Sequence, residues 1–304
     1  MIELPPRSVT ARRAVLVASR NALLFQALAD RLPLADRCVD LTITSPPYGL
    51  SISYADGGDV DPAAWPAFMQ AWLREVRRVT KPSGRLALNV PLDTFRGGYR
   101  PVYKLALDAA EAAGWTLEHA IVWAEGNTTT GNRALGSVNS AARPRPVDAS
   151  EIIAIFSNGP WGPSSDNPDD ISGREWQTYG RGPWTFPGAR RSKGGHPAPF
   201  PDELPRRLMK LLSRRGDVIL DPFVGSGTTV AVAVAEGRVG IGSDRSRAYL
   251  DMAAVRVAGV TVRPAAGRPC AICHGTIERR RSDAGTCSAA CRQKAYRQRK
   301  GEAA

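Results

Sequence analysis

Two short segments of the chain carry residues whose types and spacing suit the binding and chemistry of a ligand. In the first, Ser45-Pro46-Pro47-Tyr48, two prolines follow an apolar run and stop the strand that this run predicts. The prolines leave the carbonyl groups of Ser45 and Pro46 without ordinary strand partners, and an exposed Tyr48 would offer a flat face for stacking. A plain proline turn has the same pattern, so its meaning depends on the second segment.

The second segment is a glycine-rich turn between a predicted strand and a predicted helix. Gly225 and Gly227 let the backbone approach a ligand closely, and the start of the helix can receive a polar group. No lysine follows the glycines, so the turn is not the phosphate loop of NTPases, and it does not have the Gly-x-Gly-x-x-Gly pattern. Asp221 could accept hydrogen bonds from an amine or a hydroxyl. Asp244, after the next strand, stands where an acidic residue commonly binds the hydroxyl pair of a ribose.

Strands and helices alternate on both sides of these segments. Apolar runs predict strands over 14–18, 39–44, 85–90, 117–123, 151–156, 217–220 and 238–242. Apolar residues at helical spacing predict helices over 21–32, 61–80, 103–113, 205–213, 228–236 and 246–257. Because strands that alternate with helices form a parallel sheet with both faces covered, we predict an α/β fold.

The two segments together resemble the motifs of DNA amino-methyltransferases. That family has a catalytic (Asp/Asn/Ser)-Pro-Pro-Tyr motif, matched by residues 45–48, and an S-adenosyl-L-methionine (SAM) motif, Asp-Pro-Phe-x-Gly-Ser-Gly-Thr, matched by residues 221–228. The catalytic motif comes first, which is the permuted motif order of the beta class. The resemblance covers roughly residues 14–258 and implies a Rossmann-like SAM-dependent methyltransferase fold with a mostly parallel, doubly wound sheet.

The resemblance also implies the residues of the site. The catalytic set is Ser45, Pro46, Pro47 and Tyr48. The cofactor-binding set is Asp221, Pro222, Phe223, Gly225, Ser226, Gly227, Thr228 and Asp244, with His196 as a weaker member because residues 196–201 shortly precede the SAM motif.

The chemistry of these residues suits methylation of an amine. An exocyclic amine of a base is a poor nucleophile because its lone pair is conjugated with the ring. The Ser45 hydroxyl could accept one N–H of the amine and the Pro46 carbonyl the other, while Tyr48 stacks on the flipped base. Stacking contributes about 1–3 kcal/mol per base, which helps to offset the cost of flipping.

The residue at position 45 bears on the target base. Serine there is similar to the N4-cytosine branch of the family, so we expect N4 of cytosine, with N6 of adenine as the alternative. Carbon 5 of cytosine is not expected, because the Pro-Cys motif of that family is absent from the methyltransferase part of the chain and Cys38 precedes the catalytic motif. The one Pro-Cys pair, at 269–270, belongs to the cysteine cluster near the C-terminus. Methylation of RNA or of a protein glutamine is a further alternative, although those relatives usually place the SAM motif first. A non-catalytic DNA-binding protein is another, against which the intact motifs argue.

Charge and hydropathy bear on partners and location. The 304 residues carry a net charge of +12, which suits a polyanionic partner, and we expect double-stranded DNA. A cognate restriction endonuclease and a second copy of the chain are further candidates. No run of 18 apolar residues is present and the N-terminal apolar run is too short for a secretory signal, so we expect a cytoplasmic protein without a membrane span.

Two stretches rich in Gly and Pro, about 125–147 and 157–195, lie where the beta class keeps its target-recognition segments. Basic side chains there could contact phosphates or guanine edges, although a solvated loop face is an equally simple interpretation. These side chains are Arg133, Arg143, Arg145, Arg174, Arg181, Arg190, Arg191 and Lys193.

Four cysteines near the C-terminus have the spacing of zinc ligands. Cys270 and Cys273 form one pair, and Cys287 and Cys291 form another. We predict a structural Zn²⁺ site in a module too small to fold on apolar burial alone. A basic stretch, 292–300, follows the last cysteine and could contact DNA phosphates. The predicted organisation is a methyltransferase domain over 1–260, then a linker, zinc-binding module and basic tail over 261–304.

Overall fold

A computed structural model describes the chain over residues 15–18, 21–49, 53–54, 57–94, 99–125, 136–137, 140–144, 150–167, 169–189, 199–263, 268–269, 276–277, 286 and 289–299. In chain order, its strands are β1 (Val15–Ala18), β2 (Ala22–Gln26), β3 (Val39–Thr44), β4 (Ser53–Tyr54), β5 (Gly57–Gly58), β6 (Thr80–Pro91), β7 (Thr116–Ala124), β8 (Ser150–Ser157), β9 (Trp184–Thr185), β10 (Val218–Asp221), β11 (Val239–Asp244), β12 (Arg268–Pro269) and β13 (Thr276–Ile277). Its helices are α1 (Trp65–Val79), α2 (Val102–Ala112), α3 (Gly173–Tyr179), α4 (Glu203–Leu212), α5 (Thr228–Ala235), α6 (Arg247–Ala258) and α7 (Ala289–Arg299). None of the helices in these ranges has the length and apolar character of a membrane-spanning segment.

Nine strands form one sheet in the order β1-β2-β11-β10-β3-β6-β8-β7-β9. The five strands from β2 to β6 in this order are parallel to one another, and β7 and β9 run in the same direction. Only β1 and β8 run the opposite way within this sheet. The predicted α/β fold with a mostly parallel sheet is therefore confirmed.

Helices cover both faces of this sheet, because its strands bury side chains on both sides. On one face, Trp72 and Val76 of α1 pack in a cluster with Leu88 of β6. On the other face, Ile43 of β3 packs in a cluster with Leu208 of α4. Helices α5 and α6 contribute further apolar side chains to this second face. Central strands covered in this way must be apolar on both faces, and this explains the short apolar runs in the sequence.

The prediction of a helix over 21–32 is wrong. Residues 22–26 instead form β2, which pairs antiparallel with β1 and parallel with β11. Leu23 and Phe25 face the cluster that contains α1, whereas Ala22 and Leu24 face the cluster that contains α5 and α6. A short apolar run fits a buried strand as well as a buried helix, and here the neighbouring strands decide the outcome.

The other differences concern element boundaries and the irregular region. Helix α1 begins at Trp65 rather than near Asp61, and the Asp61 carboxylate accepts a hydrogen bond from Ala63 N at 2.8 Å in the preceding turn. Strand β6 begins at Thr80, so residues 81–84, which separate the predicted helix from the predicted strand, lie inside an irregular strand in which Ser83 has a φ of 61°. Helix α3 and strand β9 were not predicted. A capping box of Ser172 and Glu175 starts α3.

Candidate active site

The two predicted motifs meet at the carboxyl edge of the sheet, because β3 and β10 are adjacent parallel strands. The buried Asp221 carboxylate joins them. Its Oδ1 accepts hydrogen bonds from Thr44 Oγ1 at 2.7 Å and from Phe223 N at 3.1 Å. Its Oδ2 accepts a hydrogen bond from Thr229 Oγ1 at 2.7 Å. Asp221 therefore holds the end of β3, directly before Ser45, against the start of the glycine turn.

The glycine turn is fixed by a required glycine and by Asp244. Gly227 has a φ of 85°, and a Cβ at this position would lie 2.8 Å from the Cα of Ala253 in α6. Asp244 accepts hydrogen bonds from Gly225 N at 3.1 Å and from Ser246 N at 2.9 Å. The turn thus has one conformation, with Asp244 at its rim.

A cavity of about 300 Å³ lies between the two motifs. Residues 45–48 line one part of it, and Pro222, Phe223 and Asp244 line another. The rings of Phe68 and Phe223 add apolar surface, with their centroids 5.8 Å apart. The structure thus brings both predicted motifs to a common cleft. A methyl transfer from a cofactor bound at one motif to a base bound at the other requires this arrangement.

The backbone of the catalytic loop, residues 45–49, is held from one side. Trp65 Nε1 donates a hydrogen bond to the carbonyl of Pro47 at 2.9 Å. The Arg100 guanidinium donates to the carbonyl of Tyr48 and to that of Gly49 at 3.5 Å, and it lies 5.2 Å from the centre of the Trp65 ring. In the described part of the chain, no donor reaches the carbonyl of Pro46. The loop is therefore fixed with this carbonyl available to a ligand.

The prediction that Tyr48 is exposed is wrong, because its side chain is only 8% exposed. Its hydroxyl donates to the carbonyl of Asn89 at 3.0 Å and is also hydrogen-bonded to Ser45 Oγ. Burial raises the pKa of Tyr48 far above its usual value, so the phenol is neutral. Since the single phenol proton goes to Asn89, Ser45 must donate its own proton to Tyr48. The lone pairs of Ser45 Oγ then remain available to accept an N–H.

Two residues near Ser45 were missed by the sequence analysis. Asn89 of β6 is 2% exposed, and its Nδ2 donates to the carboxylate of Glu151 on β8. Burial, with a smaller contribution from the nearby Glu125, raises the pKa of Glu151 to about 7 against the lowering effect of the Asn89 hydrogen bond. A polar Asn within an otherwise apolar strand was the signal that could have indicated them.

The remaining predicted cofactor residues have varied positions. Asp221 does not line the cavity, and its oxygens bind protein groups rather than face open space. Thr228 is 4% exposed at the start of α5, and Gly225 is bonded to Asp244. Ser226 is partly buried in the turn. His196 lies outside the described residues.

The second predicted recognition segment, 157–195, does not lie at the site throughout. Residues 158–167 and 169–170, here called the amino-edge loop, lie at the opposite edge of the sheet. Ser164 Oγ donates to Asp40 of β3 at 2.9 Å, and Asp170 lies 2.5 Å from Arg238, directly before β11. The chain then returns, and β9 pairs with the last two residues of β7 at the site edge.

Polar contacts explain why the amino-edge loop lies there. The buried Asp170 accepts hydrogen bonds from Arg238 and Lys210, both of which are also buried. Removing Asp170 would leave Arg238 buried without its carboxylate partner, and removing either cation would leave Asp170 with only one. The loop is thus attached to the amino edge of the sheet, and its role in target recognition stays a prediction of the sequence. Of the basic residues named for recognition, Arg133, Arg145, Arg190, Arg191 and Lys193 lie outside the described residues.

Comparison with known proteins agrees with this geometry. The N6/N4 DNA methylase family matches residues 39–255 of the chain. The chain belongs to this family. Among individual relatives, the type II methyltransferase M.MjaVI of Methanocaldococcus jannaschii is 33% identical over 161 residues, which is 53% of this chain and 82% of the relative.

Solved structures share the fold. A Thermus thermophilus protein assigned as a DNA modification methylase matches with a TM-score of 0.61 at 25% identity, over 77% of this chain and 94% of that one. The PvuII DNA methyltransferase, which is cytosine-N4-specific, matches with a TM-score of 0.62 at 18% identity, over 78% of this chain and 86% of that one. The methylase fold therefore covers the sheet and both motifs described above.

Proposed function

We propose that this DNA methylase transfers the methyl group of SAM to the exocyclic amino group of a base flipped out of double-stranded DNA. The observation that carries the proposal is the shared cavity, which residues 45–48 line together with Phe223 and Asp244. When bound, SAM supplies a methyl group on a positively charged sulfur, and this group is open to attack by a nucleophile. A complex with SAM is known for the Thermus thermophilus protein, which in that form matches with a TM-score of 0.60 at 24% identity.

The cavity residues fit SAM in size and chemistry. A volume of about 300 Å³ is at the lower end of the range for small-molecule sites. The rings of Phe68 and Phe223 offer apolar surface to a flat adenine, and the carboxylate of Asp244 offers acceptors to ribose hydroxyls. The glycine turn holds Asp244 at this rim through the hydrogen bond from Gly225 N.

The catalytic loop supplies what an amine needs to react. Ser45 Oγ has lone pairs available and the Pro46 carbonyl lacks a donor among the described residues, so the two can accept both N–H groups of one amine. Hydrogen bonds of this kind draw the nitrogen away from the plane of the base and fix its position relative to the methyl group. Because Tyr48 is buried in the cavity wall, it would contact the base with its ring while its hydroxyl orients Ser45.

We assign the target as N4 of cytosine from the serine at position 45. An adenine N6 amine would meet the same two acceptors, so the direct test identifies the modified base. The chain is expressed in a host that lacks DNA methylation, and the host DNA is sequenced with detection of modified bases. We expect 4-methylcytosine at one recognition sequence. Finding 6-methyladenine instead would overturn the assignment of the base, and finding no modified base would overturn the proposed activity.

Asp244 gives a prediction for cofactor binding. Replacing it with alanine removes the ribose acceptors and the hydrogen bond to Gly225, so we expect SAM affinity to fall about 10- to 100-fold. Isothermal titration calorimetry with SAM measures the change. The control is Asp251→Ala in α6, which removes only an exposed ion pair with Arg247 and should leave SAM affinity unchanged. Equal affinities for the two variants would contradict the role of Asp244.

The C-terminal cysteines support a proposed structural zinc site. Cys270 and Cys273 lie between β12 and β13, which pair as a short antiparallel hairpin. Cys287 is two residues before α7 in the sequence, and Cys291 lies in the first turn of this helix. Among the described residues no group of three or more potential ligands is close enough to hold a metal, and Cys291 is the one cysteine of the four that those residues include. Two pairs of cysteines at this spacing suit four thiolates around one Zn²⁺.

We expect one zinc per chain in the purified protein, and metal binding to contribute about 10–16 kcal/mol to the folding of this small module. Elemental analysis measures the content before and after substitution of Cys270 or Cys287 with serine, each of which should remove the metal. The control is Cys38→Ser, since the Cys38 thiol donates to the carbonyl of Ala35 at 3.1 Å far along the chain from the module. Wild-type protein without zinc would refute the site.

The tail helix α7 extends the proposal for DNA binding. Its exposed side chains include Arg292, Lys294 and Arg297, which suit contacts with phosphates. A cognate endonuclease, a dimer and the domain boundary near 260 remain predictions of the sequence.

A further inference from the structure

We propose that the carboxylate of Glu151 accepts the proton that the target amine must release on methylation. This inference rests on the proposed function, and it assigns a step that the catalytic loop alone does not complete. Glu151 stands at the same carboxyl edge of the sheet as the catalytic loop and is linked to it through Asn89.

The reaction requires such an acceptor. As the amine nitrogen forms its bond to the methyl carbon, the carbon–sulfur bond breaks and its electron pair stays on sulfur. The nitrogen then has one bond too many and carries a positive charge. It becomes neutral when one N–H bond breaks, with the electron pair staying on nitrogen and the proton moving to a base. A carboxylate that takes this proton becomes a neutral carboxylic acid and later returns the proton to water.

The residues of the catalytic loop cannot hold the proton. The Ser45 hydroxyl and the Tyr48 phenol are neutral groups, and the proton of Tyr48 is already given to the carbonyl of Asn89. Asp221 is also unsuitable, because its oxygens are occupied by Thr44, Thr229 and the N–H of Phe223. Asp244 lines the cavity, but its oxygens accept hydrogen bonds from Gly225 N and Ser246 N. A further carboxylate near the loop would be a stronger proton acceptor than water.

Glu151 has the position that this role requires. It lies at the start of β8, opposite Pro91 of β6 and Trp123 of β7, so it is at the edge where the catalytic loop leaves β3. The amide of Asn89 donates to its carboxylate, and the backbone carbonyl of the same Asn89 receives the Tyr48 hydroxyl. Asn89 is thus the one residue between Glu151 and the hydroxyl groups of Ser45 and Tyr48 in this chain of hydrogen bonds. The Glu151 side chain keeps some exposure to solvent but does not itself line the cavity, and its charge lies close enough to Tyr48 to raise the pKa of that phenol.

The bonding of Glu151 differs from that of two buried carboxylates at the amino edge of the sheet. Asp40 is paired with Lys81, and Asp170 is paired with Arg238 and Lys210. In the part of the chain that the structure describes, Glu151 has a neutral amide partner and no ion pair. The buried side-chain oxygen of Asn89 also has no partner among those residues. A carboxylate that no cation neutralises is free to take up a proton.

The groups around Glu151 set its protonation. Tyr48 and Asn89 face it from the catalytic loop and β6, and Glu125 faces it from the end of β7. The Glu125 carboxylate lies close to Gly188, which follows β9, because a Cβ added at Gly188 would lie 2.8 Å from Glu125 Oε2. Burial and the charge of Glu125 raise the pKa of Glu151 to about 7. A base with a pKa near the working pH is the most effective kind, because it is ionised and still takes up a proton readily.

Glu151→Gln is the informative variant, because glutamine keeps a side-chain oxygen for the Asn89 amide and loses only the ability to accept a proton. We expect kcat for tritium transfer from labelled SAM to unmethylated genomic DNA to fall about 100-fold or more. Wild-type kcat should rise with pH through about 7, and the variant should lack this rise. SAM affinity measured by calorimetry should not change. A residue that only positions Asn89 would leave kcat and its pH dependence almost as in the wild type.

A second measurement needs no cofactor. A carboxyl group with a raised pKa favours the folded state below its usual pKa and loses this contribution as the pH rises through the folded value. The melting temperature of the wild-type protein should therefore fall relative to that of Glu151→Gln between pH 5 and about pH 7. Parallel melting curves would show that Glu151 does not titrate there and would overturn the inference.

Glu125→Gln is the matched control, and it should keep most of the activity and the rise of kcat with pH. The inference is overturned if Glu151→Gln keeps wild-type kcat, or if the rise is lost in Glu125→Gln and kept in Glu151→Gln. Wild-type protein that transfers no methyl group to DNA refutes the proposed function, and the inference with it. Wild-type turnover with an unaffected Glu151→Gln refutes the inference alone.

Discussion

Replacing Ser45 with alanine is expected to lower kcat about 100- to 1,000-fold, as is typical when one preorganised hydrogen-bonding group of a reacting centre is removed. The reason is geometric. Tyr48 donates to Asn89 and receives the Ser45 proton, so the serine oxygen presents lone pairs toward the cavity. Alanine leaves the amine with the Pro46 carbonyl as its sole acceptor in the loop. Single-turnover transfer of a tritiated methyl group to DNA measures the loss.

The Ser45→Ala variant should remain folded and bind SAM normally, because it removes one hydrogen bond to Tyr48 at a cost of about 1 kcal/mol. Thermal melting and calorimetry test these points. Ser164→Ala is the matched control, since it also removes one serine hydroxyl bonded to a side-chain oxygen, but at the amino edge of the sheet. It should keep wild-type kcat. Wild-type turnover by Ser45→Ala would refute the role assigned to this hydroxyl.

The adjacency of the two motifs could be predicted because it follows from rules that act locally. Both motifs end short apolar strands, and parallel strands place their carboxyl ends at one edge of the sheet. The prolines at 46 and 47 restrict the backbone, and the glycines at 225 and 227 allow conformations closed to other residues, whatever surrounds them. Such local effects can be recognised in a sequence, so the position of the two motifs at one edge of the sheet could be predicted without knowledge of the other residues of the cleft.

Features that depend on distant contacts were not predictable in the same way. The burial of Tyr48 depends on the carbonyl of Asn89, 41 residues away in the chain. The position of the amino-edge loop depends on a buried cation, Arg238, that follows Asp170 by 68 residues. Glu151 begins an ordinary apolar strand, and its role depends on what β6 and β7 place beside it. Each of these three features depends on contacts between segments far apart in the chain, and no short sequence pattern specifies such contacts.

Asp221 is where the sequence and the structure give different roles to the same residue. The sequence suggested a direct ligand of the cofactor, whereas the structure uses both oxygens to join Thr44, Phe223 and Thr229. We expect Asp221→Ala to lower the free energy of unfolding by about 2–4 kcal/mol, because it leaves buried donors unsatisfied. SAM affinity and kcat should fall together, since the catalytic loop and the glycine turn would lose their connection. Urea denaturation and calorimetry measure these losses.

Asp221→Asn separates the two roles. Asparagine keeps one side-chain oxygen that can accept hydrogen bonds between β3 and the glycine turn. The variant should therefore fold with a loss of about 1 kcal/mol in the free energy of unfolding and bind SAM nearly as well as the wild type. A folded Asn variant that has lost SAM binding would instead show that Asp221 is a direct ligand.

The pH dependence of stability gives an independent reading of Asp221. Burial raises the pKa of Asp221 to about 6, above the value of 3.8 for a free side chain. Its contribution to stability is therefore fully present below pH 3.8 and is lost as the pH rises to about 6, a change of about 3 kcal/mol. Asparagine does not titrate, so the wild type should lose stability relative to Asp221→Asn over this range. A difference that stays constant from pH 4 to pH 6 would mean that the carboxylate is better solvated than its position between β3 and β10 implies.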